Sequence, residues 1–169
     1  MAYILLFISR NTIIVNRNHM NEITDIKDLA GKTAAVMEGT SYQTWLEEQN
    51  HGRFKDHPIK MVFMPQEEAI KAAESGKVDF GIIGADGALW AAKSFAPYIH
   101  VAFPVGKITE YGWCFRKEDK DLQEAVQRFF ATQRNAPDSP LNKNWKVHTG
   151  LTLGEFILFI TSTPVMTDN

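Results

Sequence analysis

The stretch Val36-Met37-Glu38-Gly39-Thr40-Ser41-Tyr42-Gln43-Thr44-Trp45-Leu46 constrains the fold most. Thr33 to Met37 is a short apolar run, bounded by Gly31-Lys32 before it and Gly39 after it, the pattern of a buried strand. From Tyr42 to Glu48 the spacing turns helical, with Tyr42, Trp45 and Leu46 on one side. Thr40 or Ser41 is the natural N-cap of that helix. A buried strand passing through a glycine turn into a helix is the building unit of an open α/β sheet, and the helix N-terminus at the carboxyl end of a strand is where such sheets bind small anionic groups. Gly39 allows close approach of the backbone. The free N–H groups and the dipole attract a carboxylate or phosphate, and the hydroxyls of Thr40 and Ser41 add donors. The same hydroxyls are also what the helix needs as caps, so both readings stay open at this point.

The rest of the chain repeats the unit. Tyr3–Ile8 and Thr12–Val15 read as strands, and Asp25–Gly31 as a short helical turn closed by glycine. His51 to Pro58 is a polar loop. Lys60–Met64 is a strand leading into a helix that opens at Pro65, with Glu67 and Glu68 at the positive end of its dipole, Ala69, Ile70 and Ala73 as its buried stripe and Ser75-Gly76 as its end. Val78–Ile83 is a strand followed by a helix over Ala88–Phe95. Ile99–Phe103 is a strand broken by Pro104, and Tyr111–Arg116 is a further strand. Asp119 caps a helix with Leu122, Ala125, Val126, Phe129 and Phe130 on one face. Asn135 to Asn144 reads as a loop. Strands apolar throughout, alternating with helices, predict an α/β fold with a mainly parallel, doubly wound sheet covered on both faces.

Composition removes several function classes. A length of 169 residues suits one domain with a real core. A formal net charge of −2 makes no case for nucleic acid or an anionic membrane. Cys114 is the only cysteine, so no internal disulfide forms, and its apolar setting in Tyr111–Phe115 predicts a buried, inert thiol. No apolar run reaches the ~18–20 residues of a membrane span. Ala2 to Ile8 is short, lacks a preceding basic region and is followed by no small-residue cleavage site, so no signal peptide is read in this chain. Histidines 19, 51, 57, 100 and 148 show no metal-ligand spacing. Gly81, Gly84 and Gly87 are spaced wrongly for a dinucleotide turn. No cofactor and no metal are expected.

Four passages, taken in order, resemble the family 3 solute-binding proteins, which have the type 2 periplasmic-binding-protein fold. They are Ile26–Val36 with Glu38–Tyr42, Glu67–Ile70 through Ser75–Phe80, Tyr111–Lys117, and Leu122–Phe130 with Asn142–Trp145, and together they cover roughly residues 12 to 147. A similar passage occurs in the sensor half of membrane-bound lytic transglycosylases and in signalling receptors. The resemblance implies binding of a small polar solute such as an amino acid, outside the cytoplasm, in the periplasm for example, with an ABC transporter permease or an attached signalling domain as partner. It implies ligand-binding roles for Gly39, Thr40, Ser41 and Tyr42, no catalytic residue, and lobes that close over a ligand by a hinge motion. Alternatives are a ligand-sensing domain of a receptor or cell-wall lytic enzyme, and a dehydratase-like enzyme, since cyclohexadienyl dehydratases resemble the same family.

The sequence departs from that pattern in two places. The family's first lobe normally begins well before the hinge and supplies a carboxylate-clamping arginine. Here the chain starts near the hinge strand, which implies a largely missing first lobe, and Arg10 matches no motif position. The family's ammonium-binding aspartate would fall at Gly84, with Asp86 two residues on as its replacement. Asp79, at the start of its strand, reads as a structural carboxylate. The implied organisation is residues 1–17 as hinge strands or a remnant of the first lobe, 18–117 as the second lobe, 118–147 as a return helix and closing loop, and 148–169 as an apolar tail. The tail run Leu151–Thr161 is rich in β-formers and, like Tyr3–Ile8, would be an aggregation hazard if exposed. The two runs could pair with each other within one chain, at the hinge side of the sheet, or across two chains as a homodimer with exchanged segments, which is the expected solution.

Overall fold

The computed structural model describes residues 2–162. Five strands, β1 (Ala2–Asn16), β2 (Thr33–Val36), β3 (Lys60–Phe63), β4 (Phe80–Gly84) and β5 (Ile99–Phe115), form one sheet in the order β3-β2-β4-β1-β5. Strand β2 is parallel to both β3 and β4, while β1 is antiparallel to β4, with Asn11 opposite Gly84 and Ile14 opposite Gly81. Six helices follow the strands: α1 (Ser41–His51), α2 (Gln66–Glu74), α3 (Ala85–Ser94), α4 (Lys120–Gln133), α5 (Pro140–Thr149) and α6 (Leu153–Ser162). The described residues divide into two compact units, one of residues 10–107 and one of residues 2–9 together with 108–162.

In the 10–107 unit the period-2 geometry of the strands sorts the core into two layers. Ile13, Val15, Ala34, Val36, Phe80 and Ile82 face one side, where Trp45 and Leu46 of α1 cover them. Ile14, Ala35 and Ile83 face the other, under Ala69, Ile70 and Ala73 of α2 and Ala88 and Ala91 of α3. Burial on both faces is why these strands read as apolar throughout. The 3-10 turn Ile26–Leu29 is capped by Asp25, and Asp28 reaches back to Thr24 and Asp25. Asp79 accepts a hydrogen bond from Thr33 N at 2.7 Å, a structural role that stitches β2 to the approach of β4.

Several segments differ from expectation. Tyr3–Ile8 and Thr12–Val15 belong to a single strand, β1. Pro104 does not break a strand: β5 runs through it, because among the described residues β5 has a strand neighbour on one side only and an edge tolerates a residue without an N–H. The predicted loop over 135–144 gives way to α5 at Pro140, where proline occupies the first turn and Ser139 caps it by accepting from Asn142 N at 3.2 Å. The tail is helix α6 rather than an extended run, with Leu153, Phe156 and Ile160 buried. Residues 163–169 of the predicted tail lie outside the described residues. The two segments expected to exchange lie in regular structure, Tyr3–Ile8 in β1 and Leu153–Ser162 in α6. Cys114 is exposed, not buried. Helix α4 is amphipathic as predicted, yet it buries none of its residues, and Leu122 and Phe129 are about half exposed at 53% and 48%.

Candidate functional site

The turn between β2 and α1 closes on itself. Thr40 has extended backbone, its Oγ1 accepts from Gln43 N at 3.5 Å, and the same hydroxyl donates to Met37 O at 2.6 Å. Gln43 reaches back, its Oε1 accepting from Gly39 N at 2.8 Å. Gly39 sits at φ +73°, a conformation that favours glycine over any residue with a Cβ. The first-turn N–H groups at Ser41 and Tyr42 have no intrahelical acceptor. Ser41 is exposed at the first helical position. Thr40 is thus committed to the cap, and Ser41 is the hydroxyl left available.

Tyr42 bridges to the next strand end. Its hydroxyl oxygen accepts from Gly84 N at 3.1 Å, holding the start of α3, whose N-cap glycine offers no side chain of its own. Tyr42 is half-buried, and burial foremost pushes its phenol pKa up, with the nearby Asp86 charge adding to the effect. Asp86 lies in the first turn of α3, where a carboxylate is favoured by the dipole. Through Tyr42 the N-termini of α1 and α3 become neighbours, so the structure brings Gly39, Thr40, Ser41, Tyr42 and Asp86 to one end of the sheet.

Three residues that motif reading did not select join them. Asn11, buried on β1 opposite Gly84, donates through Nδ2 to Ser41 O at 3.5 Å. Arg10 is buried, and its Nε donates to Gly106 O at 2.8 Å; burial lowers its pKa from a high starting value, leaving it a cation. Gly106 holds φ +70° within β5, where a side chain would meet Trp45 Cδ1 at 3.1 Å and Asn11 Nδ2 at 3.6 Å. The signal for Arg10 and Asn11 is present in the sequence: a polar pair interrupts an otherwise apolar strand. Trp45 is core, whereas Trp90 and Trp113 are exposed. Among the described residues no cluster of histidine, cysteine and carboxylate side chains could hold a metal ion. The arrangement offers backbone and hydroxyl donors for an acid group and, at the adjoining helix start, a carboxylate for a cation.

The family described as NMT1/THI5 like matches residues 2–94. Over 122 residues the chain is 30% identical to the membrane-bound lytic murein transglycosylase F of Desulfosudis oleivorans, a match spanning 72% of this chain and 26% of that protein. Among solved structures, the GluR0 ligand-binding core of Nostoc punctiforme in complex with L-glutamate is similar with a TM-score of 0.60 and 23% identity, over 76% of this chain and 58% of that one. The second substrate-binding domain of Lactococcus lactis GlnP, in its open conformation, has a TM-score of 0.64 and 18% identity, over 99% of this chain and 63% of that one. The chain thus spans about a quarter of the curated relative and about three-fifths of these solved chains. The fold is that of the type 2 periplasmic binding proteins, as the four sequence passages imply.

Proposed function

The chain belongs to the NMT1/THI5 like family, and on that premise we propose that it binds a small polar solute carrying an acid group and a cation, such as an amino acid, without chemical conversion. The observation that carries the reading is the Tyr42–Gly84 hydrogen bond, which sets the N-terminus of α1 beside that of α3. In this reading the ligand's carboxylate is held by Ser41 Oγ and the N–H groups of Ser41 and Tyr42, with Gly39 giving close approach and Thr40 fixing the turn. Asp86 receives the ligand's ammonium group. The solved structures of similar fold are described as a glutamate complex and a transporter's substrate-binding domain, which supports amino-acid chemistry and, with it, an extracytoplasmic setting and a transporter permease as partner. No helix among the described residues is long and apolar enough to cross a membrane.

A thermal-shift screen against amino acids and small carboxylates tests this. A ligand at a hundredfold excess over its Kd stabilises the chain by ~2.7 kcal/mol. Ser41→Ala is expected to weaken all acid ligands, and Asp86→Asn to weaken amino acids while sparing plain carboxylates. A folded chain that no such compound stabilises sinks the reading. A second reading is that the same pocket senses rather than delivers its ligand, as part of a receptor or cell-wall lytic enzyme. The transglycosylase relative favours it. Ligand-dependent change in the activity of an attached domain separates it from uptake.

A further inference from the structure

Asn11 is 8% exposed, in the polar stretch that interrupts the apolar run of β1. A buried amide costs free energy unless it is hydrogen-bonded. Each neighbouring strand puts a glycine beside it. Gly84 of β4 is its register partner, and Gly106 of β5 is so near that a Cβ there would lie 3.6 Å from Asn11 Nδ2 and 3.1 Å from Trp45 Cδ1. Gly106 is itself held, its carbonyl accepting from Arg10 Nε at 2.8 Å. The Asn11 amide therefore sits where both neighbouring strands carry no side chain, and its Nδ2 donates to Ser41 O at 3.5 Å.

That bond and the Tyr42–Gly84 bond converge. Ser41 and Tyr42 are consecutive in the first turn of α1; Ser41 O accepts from the Asn11 amide, and the Tyr42 hydroxyl oxygen accepts from Gly84 N at 3.1 Å. Asn11 and Gly84 face each other across β1 and β4. The first turn of α1 is thus tied at two successive residues to the two members of a single cross-strand pair. Helix α3, which carries Asp86 in its first turn, starts at Ala85, directly after that pair. One tie fixes a point, whereas two fix an orientation. Ser41 O also receives the helix bond from Trp45 N, so the Asn11 bond is not needed to satisfy it. At 3.5 Å it is a long bond whose loss costs the fold little. Resting on the solute-binding reading above, we propose that Asn11 is a positioning residue of the site. It sets Ser41 at the spacing from Asp86 at which one amino acid meets both, and so sets the preference for amino acids over acids that lack an ammonium group.

The test is calorimetric binding to the full, folded chain. The probes are the amino acid that stabilises the wild-type chain most in the thermal-shift screen and the same carboxylic acid without its amino group: L-glutamate with glutarate, or L-alanine with propionate. Asn11→Leu keeps the side-chain volume and removes the donor, and Asn11→Ala is the second variant. In both, the preference for the amino acid over its plain acid is expected to fall roughly tenfold, with the plain acid's affinity little changed. Asp86→Asn alone should lower the same preference. Adding Asn11→Leu to it should lower the preference no further, because both changes act on one spacing. A structural Asn11 would lower the unfolding midpoint and leave the preference alone, and that result overturns the proposal. So does an additive loss in the double variant, a wild-type chain without the preference, or failure of both Asn11 variants to fold. A wild-type chain that neither amino acids nor carboxylates stabilise sinks the solute-binding reading itself, and this proposal with it.

Discussion

Tyr42 does more than line a turn, and its hydroxyl is where the residue scale is best tested. Tyr42→Phe leaves Gly84 N without its acceptor, a loss of about 1–3 kcal/mol for a buried donor. Equilibrium denaturation measures it, and ligand affinity should fall with it, because the start of α3 carries Asp86. The phenol also has a pH signature. Its folded pKa is raised, chiefly by burial, so the folded state prefers the neutral form. The contribution is therefore complete below the ordinary tyrosine pKa of about 10 and is lost as pH rises through the folded value. Ultraviolet titration of the folded chain should show a late ionisation that vanishes in Tyr42→Phe. Thr40→Ala, by contrast, removes a cap and should cost about 1 kcal/mol with little specific effect on ligand choice. The split between Thr40 and Ser41 was not legible in the sequence, which offers two adjacent hydroxyls equally. Helix phase decides it, since only the residue at the N-cap can accept from Gln43 N. The partners of Asn11 and Gly106 were illegible for a different reason: Asn11 reaches Ser41, and Gly106 lies against Trp45, across a sheet register that no local pattern encodes.

At the scale of elements, local signals succeeded where they had no competitor. Strands β2 and β4 and helices α1 and α2 announce themselves because apolar runs, caps and closing glycines agree. The misread elements lie where a residue has two uses. Pro104 looks like a breaker, yet an edge strand absorbs it. Pro140 and the asparagines around it look like a loop, yet proline in a first turn behind a serine cap starts a helix. The phenylalanines and isoleucines of 153–162 have strand preference, and burial of one stripe overrides it. Asn142 is the residue on which this helical region turns. Its Nδ2 donates to the carbonyls of Gln133, Arg134 and Ala136 at 3.2, 3.1 and 2.9 Å, and its Oδ1 accepts from Leu153 N at 2.9 Å. One buried side chain thereby ends α4 and starts α6. Asn142→Ala should destabilise these helices by about 1–3 kcal/mol for the orphaned buried groups, read as a fall in helical circular dichroism at lower denaturant. Asn142→Asp keeps the acceptor for Leu153 N but loses every donor, so rescue should be slight.

On the scale of the whole molecule, burial is distributed unevenly, and that makes a dynamic prediction. Among the described residues 31 apolar ones are buried, and 26 of these lie within 10–107. In that unit Gly81 shows how tight the packing is: a Cβ there would approach Ile14 Cγ1 to 3.0 Å and Ala73 Cβ to 3.4 Å, so Gly81→Ala must push β1 or α2 aside. The other unit holds its helices by polar ties, such as Arg134 Nη2 donating to Leu6 O at 2.8 Å, with few buried apolar side chains behind them. Hydrophobic burial supplies ~25 cal/mol per Å², and opening free energy follows local burial. The two units should therefore not unfold together. Amide exchange is expected to be slowest in β2, β4 and α2 and much faster in α4, α5 and α6. Denaturation should show two transitions, with helical signal lost first and the Trp45 environment last. A ligand at Ser41 and Asp86 should raise the second transition and leave the first where it is. A single cooperative transition with uniform exchange would contradict this, because it would require the sparse helical unit to draw its stability from the sheet's core.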